Sequence, residues 1–243
     1  MRWLVVFVSL IGTTQAQNLL PDGGFETLLT CPVGAVTDSK IQYLQHWSSP
    51  SIGTPDCYHV CNKGLVSVPN NVAGNAFAKE GNGYVGLALH VQPEPYYAEY
   101  IQSVLTTPLV KDSFYCISLY YRLASNSEYG MSGLGIHLSA SHLIVNHNHN
   151  LVLKPAVVNK LEPNEQDADS WLLLEGIYKA SGNEQYLVIG YFGSESTSPK
   201  RLFLPNRQSI RPTAYYYIDQ VSVQWIQTNA VYKCSQTTYN FSE

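Results

Sequence analysis

"AYYYIDQVSVQW" (residues 214–225) reads as a strand, whose side chains alternate between two faces. One face carries Tyr215, Tyr217, Asp219, Val221, Val223 and Trp225; the other carries Tyr216, Ile218, Gln220, Ser222 and Gln224. The first is the more apolar and is the expected core face, yet it holds the Asp219 carboxylate at its middle. A buried carboxylate left unpaired is costly, so Asp219 calls for a metal ion or for backbone N–H groups at a bulge of the strand. Similar short runs recur outward from this one: "GYVGLALH" (83–90), "AEYIQSVL" (98–105), "FYCISLYYRLA" (114–124), "GLGIHLSA" (133–140), "SWLLLEGIYKA" (170–180) and "EQYLVIGYFG" (184–193). Clusters of Gly, Pro, Asn and Ser separate them, the pattern of an all-β antiparallel sandwich or barrel. In residues 114–124, Tyr115, Ile117, Leu119, Tyr121 and Leu123 form the expected core face, with Phe114, Cys116, Ser118, Tyr120 and Arg122 opposite.

The chain opens with "MRWLVVFVSLIGTTQAQNLL": one early basic residue, a short apolar run, then small residues ending at Ala16. That is the layout of a secretory signal peptide, expected over 1–16. No later stretch reaches the length of a membrane-spanning helix, so an exported protein is expected. Residues 17–228 form the expected sandwich domain and 229–243 a C-terminal tail. Charged residues make up 13% of the chain and the net charge is −4, which excludes a basic nucleic-acid footprint.

The motifs of catalysis are missing: there is no G-x-S-x-G, no H-E-x-x-H and no glycine-rich phosphate loop. Glu94, Glu99, Glu128, Glu162 and Glu165 are scattered through turns and strand edges. No enzyme is expected, although a hydrolase using carboxyls distant in sequence is a third possibility. His142, His147 and His149 crowd a polar connection and read as surface histidines, since a metal site needs identified ligands and geometry. A binding face is expected on the outward side of the strands at Tyr120, Arg122 and His137, joined by Asn126 and Tyr129 in the turn between. Aromatic rings there would stack on sugars while Arg and Asn bond hydroxyls. "YYAEY" (96–100) offers aromatic surface of the same kind.

Read together, "NLLPDGGFE" (18–26) near the start and "YYYIDQVSV" (215–223) near the end resemble the jelly-roll sandwiches of carbohydrate-binding modules and galactose-binding-like domains. Residues 31–61, 68–89, 96–109 and 171–192 are similar to one group of these, the N-terminal modules of exported and OmpA-like outer-membrane proteins of gliding, type IX-secreting bacteria. The family's double Asp is Asp219–Gln220 here, and no OmpA-like or sorting domain follows. The resemblance implies a non-catalytic module that binds carbohydrate or another envelope component, secreted or at the bacterial surface. The rival expectation is an adhesive module with a protein partner. It also implies a structural calcium ion, for which Glu26, Asn82 and Asp219 are the matching residues, and a disulfide between Cys31 and Cys61. Calcium takes oxygen donors of this type. Five cysteines leave at least one thiol free or paired between chains, and the pairing of Cys57, Cys116 and Cys234 stays open.

Overall fold

The computed structural model describes residues 17–33, 40–94, 96–193, 197–202, 212–226 and 234. The expected signal peptide and, except for Cys234, the expected tail lie outside them. Among these residues fourteen strands run in chain order: β1 (Trp47–Ser48), β2 (Asp56–His59), β3 (Asn70–Asn71), β4 (Gly74–Asn75), β5 (Gly83–Val91), β6 (Tyr100–Val104) and β7 (Phe114–Leu123). They continue with β8 (Tyr129–Gly130), β9 (Leu134–Ser139), β10 (Val157–Val158), β11 (Leu172–Lys179), β12 (Tyr186–Tyr191), β13 (Lys200–Arg201) and β14 (Thr213–Trp225). Only two short 3₁₀ turns, Lys40–Tyr43 and Glu165–Ala168, interrupt this all-β pattern among the described residues.

Two five-stranded antiparallel sheets form the sandwich, in the orders β1-β6-β12-β9-β10 and β11-β7-β14-β5-β2. The long strands pass between the sheets as the chain advances: β5, β7, β11 and β14 lie in one, β6, β9 and β12 in the other. This crossing pattern makes the fold a jelly-roll type of sandwich. Val85, Leu87, Leu89, Ile117, Leu119 and Leu123 from β5 and β7 meet Ile101, Ile136, Leu138, Leu187 and Ile189 from β6, β9 and β12 in the main core. Strand β7 puts Tyr115, Ile117, Leu119, Tyr121 and Leu123 inward, the face its alternation indicates.

Strand β14 departs from the unbroken alternation expected of it. Its register against β7 shifts between Asp219 and Ser222, and Gln220 takes a left-handed φ of 51°. A bulge inserts an extra residue and turns the following side chains to the other face. Tyr216 and Ile218 therefore face the core before the bulge, and Val221 and Val223 face it afterwards. Tyr215, Tyr217 and Asp219 lie on the outer face of the sheet, which corrects their assignment to the core face. The first described segment runs beside the end of this strand. Asn18 Nδ2 donates to Val221 O at 2.9 Å, and Leu19 N to Val223 O at 2.8 Å. Gly23 is required by the approach, since a Cβ there would sit 1.9 Å from Val221 O.

The outer face is not open to solvent across its width. The segment 60–82 folds over it and builds a second small core from Val66, Val68 and Ala76 on Tyr58, Tyr84 and Tyr217. All nine residues of β5 are buried, because one side faces the main core and the other lies under this cover at Tyr84, under Tyr215 at Gly86 and under Glu99 at Ala88. The buried tyrosine hydroxyls keep hydrogen-bond partners, as burial demands. Tyr84 Oη donates to Ala76 O at 3.0 Å, Asn71 Nδ2 donates to Tyr84 Oη at 2.8 Å, and Tyr217 Oη donates to Asn71 Oδ1 at 2.7 Å. A disulfide joins Cys31 to Cys61 at the start of the cover, and a second joins Cys116 to Cys234. Cys57 is free and points into the core, where burial pushes its thiol up to about 12.

Candidate functional site

Beside the cover, the outer face of β2, β5 and β14 opens into a pocket of about 160 Å3. Asp56 and Tyr58 reach it because both occupy the outer side of β2, with Cys57 between them turned inward. Asp56 stands opposite Gly86, and that glycine is what lets Tyr215 lie across the sheet. A Cβ on Gly86 would come within 2.3 Å of the Tyr215 hydroxyl. Tyr215 Oη donates to Asp56 Oδ2 at 2.6 Å and lies 3.0 Å from Tyr58 Oη. Burial first, and then the Asp56 charge, hold the Tyr58 and Tyr215 hydroxyls protonated well above the ordinary tyrosine range.

Glu99 enters from the extended segment that leads into β6 and docks on Ala88 of β5. Its N–H donates to Ala88 O at 2.8 Å, and its Oε2 accepts from Ala88 N at 2.8 Å. Its Oε1 accepts from Tyr97 Oη at 2.7 Å and from Thr54 N and Oγ1 at 3.2 Å each. Burial pushes the carboxyl up to about 7, the Asp56 charge adds to the rise, and these donors oppose it. Val72 and Ala73 of the cover and Asn126 and Ser127 after β7 close the other side. The pocket thus combines carboxylate acceptors, hydroxyl and amide groups and tyrosine rings, the mixed lining of a small-ligand site.

The five residues expected to share a binding face are not brought together. Tyr120 and Arg122 lie on the outer side of β7, whereas His137 lies on β9 in the opposite sheet, because the chain changes sheet between them. Arg122 is a brace, with Nε donating to Ala168 O at 2.9 Å and Nη2 to Asn75 O at 3.4 Å. Tyr120 lies under the Lys79 ammonium, 4.4 Å from its ring centroid. Tyr129 stands edge-to-face with His90 at 5.7 Å. His137 Nδ1 contacts Lys154 O at 2.7 Å. Asn126 alone of the five lines the pocket, where its Nδ2 donates to Val72 O at 3.1 Å.

Glu26, Asn82 and Asp219 do converge on one loop. Glu26 Oε1 accepts from Asn82 N at 2.7 Å and Gly83 N at 3.0 Å, and its Oε2 accepts from Asn82 Nδ2 at 3.1 Å. Asp219 is fully buried, with Oδ2 accepting from Lys79 N at 2.8 Å and Glu80 N at 3.3 Å, and Oδ1 from Gln220 N at 2.7 Å. Burial pushes Asp219 up to about 7 against these three N–H groups, and the Glu26 charge adds to the rise. Backbone N–H donors at a bulge are one of the two arrangements the sequence left open. The donor set is oxygen-rich, in keeping with calcium's preferences. Among the described residues no group of three or more His, Cys, Asp or Glu is gathered around a metal position. An ion here would have the Glu26 and Asp219 carboxylates and the Asn82 amide oxygen as its side-chain donors.

The sequence reading missed Asp56, put Tyr215 on the core face, took Tyr97 only as part of the "YYAEY" aromatic surface, and passed over Glu99 as one of several scattered carboxylates. The available cue was "YYAEY": a tyrosine and a glutamate two apart lie on the same side of an extended segment. No protein-family model matches the chain, and no curated protein does. Solved structures of similar shape include the CBM22-1 xylan-binding domain of Paenibacillus barcinonensis Xyn10C, 11% identical, with 76% of this chain and 88% of that one covered and a TM-score of 0.38. Another is the CBM22-1–GH10 portion of a Clostridium thermocellum xylanase complexed with xylohexaose, 12% identical over 77% of this chain and 27% of that one, with a TM-score of 0.39. The K3 cleaved adhesin domain of Lys-gingipain from Porphyromonas gingivalis is 11% identical over 70% of this chain and 91% of that one, at 0.34. Likeness at this level assigns neither ligand nor activity, and the sandwich rests on its own sheet geometry.

Proposed function

We propose that the chain is an exported, non-catalytic sandwich module that binds carbohydrate in the pocket of Asp56, Tyr97, Glu99 and Tyr215. The observation that carries this reading is the pairing of buried carboxylates with tyrosine rings around a ring-sized space. Carboxylates accept bonds from sugar hydroxyls, and charge-assisted bonds of that kind are the stronger ones. The tyrosine faces supply apolar surface for the ring carbons. Two disulfides suit an oxidising compartment, and no helix among the described residues is long and apolar enough to cross a membrane.

A hydrolytic reading draws on one feature, a carboxyl raised to about 7 beside a second carboxylate. Against it, four neutral donors from Thr54, Tyr97 and Ala88 favour the charged, accepting form of Glu99 over a proton-donating one. The test is a glycan-array screen of the mature protein with Glu99→Gln and Asp56→Asn alongside. Binding of a defined sugar class, weakened about tenfold or more in both variants and without release of product, is expected. Binding unchanged in both variants, or turnover of the bound glycan, overturns the reading.

We propose further that a structural calcium ion is held by Glu26, Asn82 and Asp219. When bound it would supply positive charge to two carboxylates that otherwise oppose one another. Thermal unfolding with calcium and with a chelator checks this. Calcium should raise the Tm of the natural chain and leave Asp219→Asn unmoved; an unchanged Tm in the natural chain sinks the calcium site.

A further inference from the structure

We infer that the pocket takes a single terminal sugar of a glycan and not an internal run of a chain; this rests on the carbohydrate reading above. The volume is the first ground. A cavity of about 150 Å3 holds benzene, and the pocket measures about 160 Å3; a single hexose, with twice benzene's heavy atoms, fills it and stands partly outside. Pockets that bury drug-sized ligands fall at roughly 300–1,000 Å3.

The covered platform is the second ground. A longer chain lying on this sheet would need the ring faces of Tyr58, Tyr84 and Tyr217, and all three are completely buried beneath Val66, Val68 and Ala76. Their neighbourhood is tied to the cover by side chain and backbone. Besides the bonds of Asn71, Asn126 N donates to Ala73 O at 3.0 Å, Trp171 Nε1 to Phe77 O at 3.0 Å, and Arg122 reaches Asn75 O. With Cys61 held by its disulfide, the cover is attached at several places along its length. The pocket is therefore a recess at the margin of the covered part of the face. A sugar chain enters it by an end, with the rest of the chain projecting into solvent and contributing little contact.

Chain-length titration tests this on the intact mature protein. The probes are glucose, galactose, mannose, xylose and N-acetylglucosamine, each with its linear oligomers up to the hexasaccharide, together with cyclic glucans that have no ends. The expected result is an affinity that stays within about threefold from the monosaccharide or disaccharide to the hexasaccharide, with one protein bound per chain and none on the cyclic glucans. Affinity climbing by about tenfold or more from disaccharide to hexasaccharide, several proteins per chain, or equal binding of a cyclic glucan overturns the inference while keeping the carbohydrate reading. Absence of binding to sugars of every length, in protein shown to be folded, overturns both.

Discussion

Glu99 and Asp219 meet the same physical problem with different partners. Each carboxyl is buried and pushed up to about 7, and each has a second carboxylate adding to the rise, Asp56 in one case and Glu26 in the other. Asp219 is held entirely by backbone N–H groups, those of Lys79, Glu80 and Gln220. These belong to the loop and the bulge that define the fold there. Glu99 is held partly by side-chain hydroxyls, those of Tyr97 and Thr54, at the edge of a pocket. Hydroxyl partners can rearrange around an incoming ligand, whereas the backbone groups cannot move without the loop. Glu99 thus stands at the pocket proposed for a ligand and Asp219 within the loop and bulge, although their energetics look alike.

The largest expected effect is on stability against pH, and it concerns both groups. Their ordinary values are 4.5 and 3.8, and folding raises both to about 7. The folded state therefore binds more protons than the unfolded chain between about pH 4 and 7. The associated stability is fully present below that window and is lost as pH rises through 7, by several kcal/mol in all. Calorimetry from pH 5 to pH 8 should show a falling Tm, with a shallower fall in Glu99→Gln. If calcium binds as proposed, adding it should remove the Asp219 share of the slope and leave that of Glu99. A Tm that rises over this window would show that neither carboxyl is destabilised as its surroundings indicate.

Next in size is the removal of each acceptor. Asp219→Ala strands backbone N–H groups inside the protein and should cost about 2–3 kcal/mol, which is a fall of roughly 5–10 °C in Tm for a domain of this size. Sugar affinity should change by less than about twofold. Glu99→Gln keeps an oxygen acceptor and sheds a desolvated charge, so its stability should stay within about 1 kcal/mol. Its sugar affinity should fall by about tenfold, equivalent to about 1.4 kcal/mol. Equal stability losses in the two variants, with no separate effect on binding, would erase the distinction between them.

How far these features were legible in the sequence depends on what set them. Strand β7 was readable because its alternation runs without interruption from Tyr115 to Leu123. Strand β14 was readable as a strand but not in its facing, since a bulge after Asp219 swaps the two sides and only a local φ at Gln220 marks it. The loop that unites Glu26, Asn82 and Asp219 was reached through resemblance, and spacing alone would not have joined residues from opposite ends of the chain. The pocket was not legible for a related reason. Asp56 and Glu99 meet through the pairing of β2 with β5 and the docking of Glu99 on Ala88, contacts that no local motif encodes. Covering of the outer tyrosines by residues 60–82 likewise depends on tertiary packing.

The smallest expected effects fall on the face first assigned to ligand, and they sharpen the contrast between the covered and open parts of the same sheet. Tyr120 has its ring occupied by the Lys79 ammonium, and Arg122 spends its guanidinium on Ala168 O and Asn75 O. Neither side chain lines the pocket. Tyr120→Ala should therefore change sugar affinity by less than about twofold, and its loss of an exposed cation–π contact should cost only about 0.5–1 kcal/mol. Arg122→Ala should act on stability through the loop it braces, again with little change in affinity. Titration of both variants against the sugar chosen by the array decides the matter. A tenfold loss in Tyr120→Ala at unchanged Tm would move the ligand out onto the uncovered side of β7, where a chain could lie lengthwise, and would remove the grounds for end-on recognition.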